Sequence, residues 1–415
     1  MSDSASLKKP VTTGPATASP TIAGRSAGLA QLILLLAGSC MSVLGAVLIA
    51  PVLPQMTEAF ADTPGVDVLV PIVLTVPALF IGLAAPFAGI IVDRVDRKRL
   101  LLIAMVAYSI FGTAPLYLNS LGAIVGSRVL VGICEAAIMT CCTTLIGDYW
   151  SGPKRSKYLG LQTLVAALAA TVFLALGGVL GANGWRTPFW MYVIALLLVV
   201  PMAKLLWQPA RPSDYVKGTP MVPVPWRKLL GPCLVTLFGG IVFYALIVEL
   251  SFVLTDVGIT STATIGAISA AMSLATAAGA IVFGKLSRLS PRIFLPIEFL
   301  LAAAGLIIVF ATTSVPVITI GAVITGFGTG MLLPTLLTWA VNRLTFLQRG
   351  RGVGIWTGTL FIGEFLSPLI IAALAAKTSG LQAGLAVLGV AAAIMAAVTF
   401  FALRRNTERL DESHA

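Results

Sequence analysis

Charge is what this sequence has least of: of its 415 residues, 10% are Asp, Glu, Lys or Arg and 58% are hydrophobic. A water-soluble globular chain carries about 25% charged residues, so this one lacks the polar surface to cover a fold in water. A single histidine, His414, argues against a His-dependent catalytic constellation and against a zinc site. The five cysteines, Cys40, Cys134, Cys141, Cys142 and Cys233, all fall in apolar stretches without CxxC spacing. The adjacent Cys141 and Cys142 project in different directions on a helix, so the expected role of all five is small, buried and apolar, with no metal and no disulfide. There is no phosphate-binding loop either: "GFGTG" (326–330) lacks the downstream Lys-Ser/Thr and sits inside an apolar run, where small residues serve close helix packing. No cofactor is expected, and an ion gradient is left as the energy source.

Long apolar runs are what the chain has instead. Twelve segments are legible, at about 28–50, 68–92, 99–118, 121–146, 158–181, 187–207, 229–254, 263–287, 293–313, 317–341, 352–376 and 380–403. Helices of ~22 residues suffice to cross the hydrocarbon, and they satisfy their own backbone groups where lipid offers no partners. The segment before them, 1–27, is rich in Ser, Thr, Ala and Pro with no apolar core of its own, and is expected to be a disordered cytoplasmic tail, not a signal peptide. Residues 405–415 are read as a second cytoplasmic tail.

Basic residues fix the expected orientation. With both termini cytoplasmic, all but Arg128, Arg186 and Lys377 of the 27 Lys and Arg lie on the cytoplasmic side, as the positive-inside rule requires. The net charge of +11 therefore calls for no nucleic-acid partner. The reading is a multi-pass protein of the cell inner membrane, in contact with the lipid bilayer and monomeric.

The longest internal break, 208–228, is rich in proline and charge and divides the spans into 28–207 and 229–404, six on each side. The halves repeat. "RSKYLGLQT" (155–163) aligns with "RGRGVGIWT" (349–357); the same shift carries Gly132 to Gly326 and Asp148 to Asn342, and a shift one longer carries Gly89 to Gly284 and Arg97 to Arg292. In the loop after the second span, "GIIVDRVDRKRL" (89–100) places Gly89, Asp93, Arg94, Arg97 and Lys98 where the major facilitator superfamily of secondary transporters has Gly-x-x-x-Asp-Arg/Lys-x-Gly-Arg/Lys-Arg/Lys. Arg128 followed by Gly132, and "GGVLGANGWRTPFW" (177–190), also resemble that family. Two departures stand out. Asp96 occupies the place of the usual glycine, and Phe173 and Leu174 precede Gly177 and Gly178 where drug exporters often carry Gly-Pro-x-x-Gly-Gly.

The resemblance covers about residues 28–404. It implies an all-α membrane protein, with twelve transmembrane helices in two pseudo-symmetric six-helix bundles that rock about a substrate site near the midplane. It also implies that Asp93 caps or pairs across the halves in a cytoplasmic gate, at the start of the eleventh helix. Simple charge anchoring accounts equally for Arg97, Lys98 and Arg99.

Ionisable residues inside the spans mark the candidate chemistry, because each costs roughly 2.5 to 3.5 kcal/mol at a helix centre unless relieved. Arg128 and Glu135 lie in the fourth span, Glu249 in the outer part of the seventh and Glu364 near the middle of the eleventh. Glu135 and Glu364 are the candidates for proton coupling: a carboxyl in an apolar cavity is penalised when charged, so it can take a proton on one side and release it on the other. The alternative is a permanently protonated, hydrogen-bonded Glu. Arg128, Glu249 and Tyr244 are candidates for the substrate cavity. Arg128 either binds a substrate anion or is tied to backbone carbonyls, and its separation from Glu135 by ~10 Å along one helix suits bracketing a site. Glu298 is read as close enough to the cytoplasmic interface to discount.

The function expected is a secondary transporter, not an enzyme, that exports a small organic or drug-like molecule by proton-coupled alternating access. Proton-coupled uptake of an organic anion is the alternative. A membrane sensor would need an extramembrane reading domain, and no loop is long enough to fold as one.

Overall fold

A computed structural model describes residues 27–209, 223–286, 289–345 and 348–404; the expected tails and most of the expected linker lie outside this set, as do the side chains of 89–94. Among the described residues every regular element is helical. Twelve helices are long and apolar enough to cross a membrane: α1 (Leu29–Ala59), α2 (Val66–Arg94), α3 (Arg97–Leu116), α4 (Leu121–Tyr149), α5 (Gly152–Gly181), α6 (Thr187–Leu205), α7 (Trp226–Asp256), α8 (Thr262–Leu286), α9 (Pro291–Phe310), α10 (Val315–Val341), α11 (Arg349–Ala375) and α12 (Leu381–Ala402).

Two boundaries differ from the sequence reading for physical reasons. α5 begins at Gly152, ahead of Lys154, Arg155 and Lys157; long basic side chains at a helix end reach the interface while their backbone stays helical. α1 runs to Ala59 but is broken. Its α-helix ends at Val47, a 3-10 turn covers Ala50–Val52 and helix resumes at Leu53. Pro51 is the cause, since a proline lacks the N–H an α-helix needs and its ring crowds the carbonyl four residues back.

The chain builds two apolar cores, one from α1–α6 and one from α7–α12, with Tyr244, Val248 and Ala270 of the second half packed into the first core. The halves meet chiefly along α2 against α11 and α5 against α8. Small residues allow both approaches. At Gly178 a Cβ would lie 2.7 Å from Gly266 Cα, and at Gly358 one would lie 2.7 Å from the Gly82 carbonyl. That carbonyl is without its helical donor because the residue four on is Pro86.

The repeat read from the sequence is also a repeat of packing. A Cβ at Gly132 of α4 would meet the backbone of Pro77 in α2, and a Cβ at Gly326 of α10 would meet the carbonyl of Met272 in α8. "GFGTG" packs in the expected way, Gly326 and Gly330 against α8 and Gly328 against α9. Of the five cysteines, four are buried and Cys233 is half-buried.

Candidate functional site

The candidate site grows from backbone carbonyls that the helices cannot satisfy. In α2, Pro77 has no N–H to give the carbonyl of Val73, four residues back. In α1 the last backbone bond before the turn runs from Leu48 N to Leu44 O, so the carbonyl of Gly45 lacks its helical donor from Ile49. Unpaired carbonyls in a membrane interior cost several kcal/mol each, so side chains must supply the donors.

Arg128 supplies two of them. Fully buried on α4, it donates from Nε to Val73 O at 3.1 Å and from Nη2 to Gly45 O at 2.7 Å. Its Nη1 donates to the Tyr192 hydroxyl of α6 at 2.5 Å, and its guanidinium carbon lies 5.3 Å from that ring's centre. Arg128 thus takes the carbonyl-bound arrangement weighed from the sequence. Tyr244 adds a donor from the other half, its hydroxyl reaching Ala46 O at 2.5 Å.

Two carboxyls flank this junction. Glu135, two turns along α4 from Arg128, is fully buried, and neither of its oxygens has a hydrogen-bond partner. It packs against α1 where only glycine fits, because a Cβ at Gly45 would overlap the Glu135 carboxyl. Tyr108 closes the other side, its ring 5.0 Å from that of Tyr192 and its hydroxyl donating to Met41 O at 2.5 Å. Glu364, 6% exposed on α11, lies where α11 and α7 approach closely through Gly363 and Gly240, and Ser367 one turn on donates to Ile241 O at 2.8 Å. Tyr244 is within electrostatic reach of both Glu364 and Glu135. The structure thus brings Arg128, Glu135, Tyr244 and Glu364 to one junction. Glu249, five residues beyond Tyr244 on α7, is buried in the second half outside that group.

The loop motif is only partly described. The backbone of Gly89, Asp93 and Arg94 continues α2, but their side chains are outside the described set, so the expected pairing of Asp93 has no counterpart to inspect. Arg97 pairs with Asp148 at the end of α4, and Lys98 Nζ donates to Ala203 O of α6 at 2.7 Å. Both contacts stitch the first half to itself. Asp96, in the family's glycine position, caps α3 by accepting from Arg99 N at 2.9 Å.

Sequence reasoning missed several polar residues. Tyr108 and Tyr192 carried a signal only as tyrosines inside apolar spans. Glu298 is fully buried, which corrects its reading as an interfacial residue: α10 covers it, Thr335 Oγ1 donates to Glu298 Oε1 at 2.5 Å, and Oε2 has no partner. Depth was judged by counting from the start of the span, and packing against Gly328 is what shields it. Gln162 of α5 donates to Ser39 Oγ of α1 at 2.6 Å and to Thr143 Oγ1 of α4 at 3.1 Å, a polar patch unmarked by charge.

Comparison with known proteins places this geometry in context. The family model described as Major Facilitator Superfamily matches residues 35–260 and 232–415. Multidrug resistance protein 2 of Bacillus subtilis is 27% identical over 179 residues, 42% of this chain but only 43% of that relative's own length. The 3-(3-hydroxy-phenyl)propionate transporter of Escherichia coli is 26% identical over 335 residues, 74% of this chain and 79% of the relative. Among solved structures, a bacterial homologue of the human lysosomal transporter Spinster, inward-facing and unoccupied, superposes with a TM-score of 0.75 at 17% identity, covering 94% of this chain and 100% of that one.

Proposed function

We propose that this chain, which belongs to the Major Facilitator Superfamily, exports a small organic molecule from the cell in exchange for protons. The observation that carries the reading is the pair of buried carboxyls, Glu135 and Glu364, one from each half; neither oxygen of Glu135 has a hydrogen-bond partner among the described residues. A carboxyl so placed is stable only when neutral or when water or substrate reaches it. Each is therefore poised to exchange a proton as the site opens to one side and then the other.

In this reading the halves 28–207 and 229–404 rock as units joined by a cytoplasmic linker, 208–228, and the basic loops and both termini face the cytoplasm of an inner-membrane protein. The protein works as a monomer, without nucleic acid and without a cofactor beyond the gradient. Gly89, Asp93, Arg94, Arg97 and Lys98 form the cytoplasmic gate. Within it, Arg97 and Lys98 hold α3 to α4 and α6, and Asp93 acts at the start of α11. Arg128 acts as a fixed strut, while Glu249 and Tyr244 line the route away from the basic loops.

Export is favoured because Arg128 has its three bonded nitrogens committed to Val73, Gly45 and Tyr192, which removes the natural anchor for an organic anion. The multidrug resistance relative points the same way. Uptake of an organic anion remains the second reading, supported by the resemblance to the hydroxyphenylpropionate transporter over 74% of the chain. Inverted membrane vesicles with an acidic lumen, so that protons are driven outward, separate the two. Accumulation of a lipophilic cationic dye in them supports export, and accumulation of an aromatic acid only in right-side-out vesicles overturns it.

A further inference from the structure

The two halves are joined in the middle of the protein by Tyr244 of α7, whose hydroxyl donates to the carbonyl of Ala46 in α1. The acceptor lies in the last turn of α1 before its break at Ala50–Val52, and a carbonyl can accept a second bond. The bond is buried, Tyr244 being 2% exposed, so the hydroxyl has no water to turn to when the bond breaks. Around it the same halves meet through residues on the side away from the basic loops. A Cβ at Gly181 of α5 would lie 3.2 Å from Thr262 Oγ1 of α8, Gly178 packs on Gly266, and Val248 of α7 sits in the core of the first half. Thr171 of α5 also donates to Ser273 of α8 at 3.1 Å.

We infer that Tyr244 is a latch: by donating across the halves to the Ala46 carbonyl in the last turn of α1 before its break, it holds the halves closed on the face away from the basic loops. Tyr244 is a positioning residue in this role and needs no contact with substrate. Closing the face gives the buried Tyr244 hydroxyl its acceptor. Opening it leaves that hydroxyl without one until water enters, which biases the resting protein toward the closed face. The charged and titratable groups facing the hydroxyl are Glu364 of α11, Glu135 and Arg128 of α4 and Tyr192 of α6, so the latch sits between the two proposed proton sites.

Removing only the hydroxyl tests this. In a chain whose own cysteines have been replaced, spin labels at Asp62→Cys and Thr260→Cys, both exposed in loops on that face, report the separation of the halves in detergent without substrate or gradient. Tyr244→Phe is expected to raise the long-distance population at least threefold. Tyr108→Phe loses a bond of the same length to the same helix but within one half, and is expected to leave the distribution as it was. An unchanged distribution in Tyr244→Phe, or an equal change in both variants, overturns the latch. The inference rests on the two halves rocking, as in the proposed function, but not on direction or proton coupling. Loss of the distance change with transport intact would sink the latch alone, and loss of gradient-driven transport with the distance change intact would sink the coupling alone.

Discussion

In the first half a cation, Arg128, is buried with three hydrogen bonds; in the second half Glu249, Glu298 and Glu364 are buried and no ion pair joins them to a described residue. The repeat explains why the cation has no counterpart. At the offset that carries Gly132 to Gly326, Arg128 falls on Ala322, and at the offset one longer Pro77 falls on Met272 and Pro51 on Leu246. Without those prolines α7 runs unbroken from Trp226 to Asp256 and α8 from Thr262 to Leu286, so the equivalent carbonyls keep their helical donors. An arginine there would have nothing to bind. Duplication supplied one architecture, and proline placement decided which half needs a buried donor.

The largest effect should come from breaking the first half's strut. Arg128→Met strands the carbonyls of Val73 and Gly45 in an apolar interior and is expected to destabilise the protein by about 1 to 3 kcal/mol per stranded carbonyl, read as a lowered unfolding temperature in detergent. Arg128→Lys should recover only part of this, because an ammonium cannot span the fork a guanidinium bridges. Next in size is Gly45→Ala. Its methyl would occupy the space of the Glu135 carboxyl, and overpacking of this kind costs about 1 to 3 kcal/mol, with transport lost before folding is. Replacing Asp96 by Ala removes the N-cap of α3 and should cost about 1 kcal/mol, while its replacement by Gly, the residue usual in the family, costs a few tenths, on the order of the limit of a thermal-shift measurement. The smallest change should be Glu298→Gln. The amide oxygen still accepts from Thr335, so stability shifts by less than about 1 kcal/mol and gradient-driven transport persists; its loss would move Glu298 into the coupling machinery.

How much of this was legible in the sequence follows the same division. Apolar run length and basic loops revealed the twelve spans and the repeat, because lipid leaves the backbone no alternative to helix. Arg128, Glu135 and Glu364 were legible as charges in apolar runs, since few other reasons justify their cost. Their partners were not. Tyr192 and Tyr108 reach Arg128 and α1 through tertiary packing, which spacing along one helix does not encode. One signal that locates the strut was nonetheless present as Pro77, four residues after Val73; a proline names the carbonyl it releases. Glu298 shows the opposite error, where position in a span was taken for depth and the helix that covers it, α10, brings its hydrogen-bond partner Thr335 from 37 residues further on.

The account turns on two buried carboxyls working as proton carriers, and the measurement that tests it most directly compares gradient-driven transport with exchange. In vesicles containing Glu135→Gln or Glu364→Gln protein, the amide copies the neutral carboxyl but cannot release a proton. Uphill dye transport driven by a proton gradient is expected to fall to background in at least one of the two, while dye exchange at equal pH on both sides persists. Uphill transport at the wild-type rate, with unaltered pH dependence, in both variants would contradict the account.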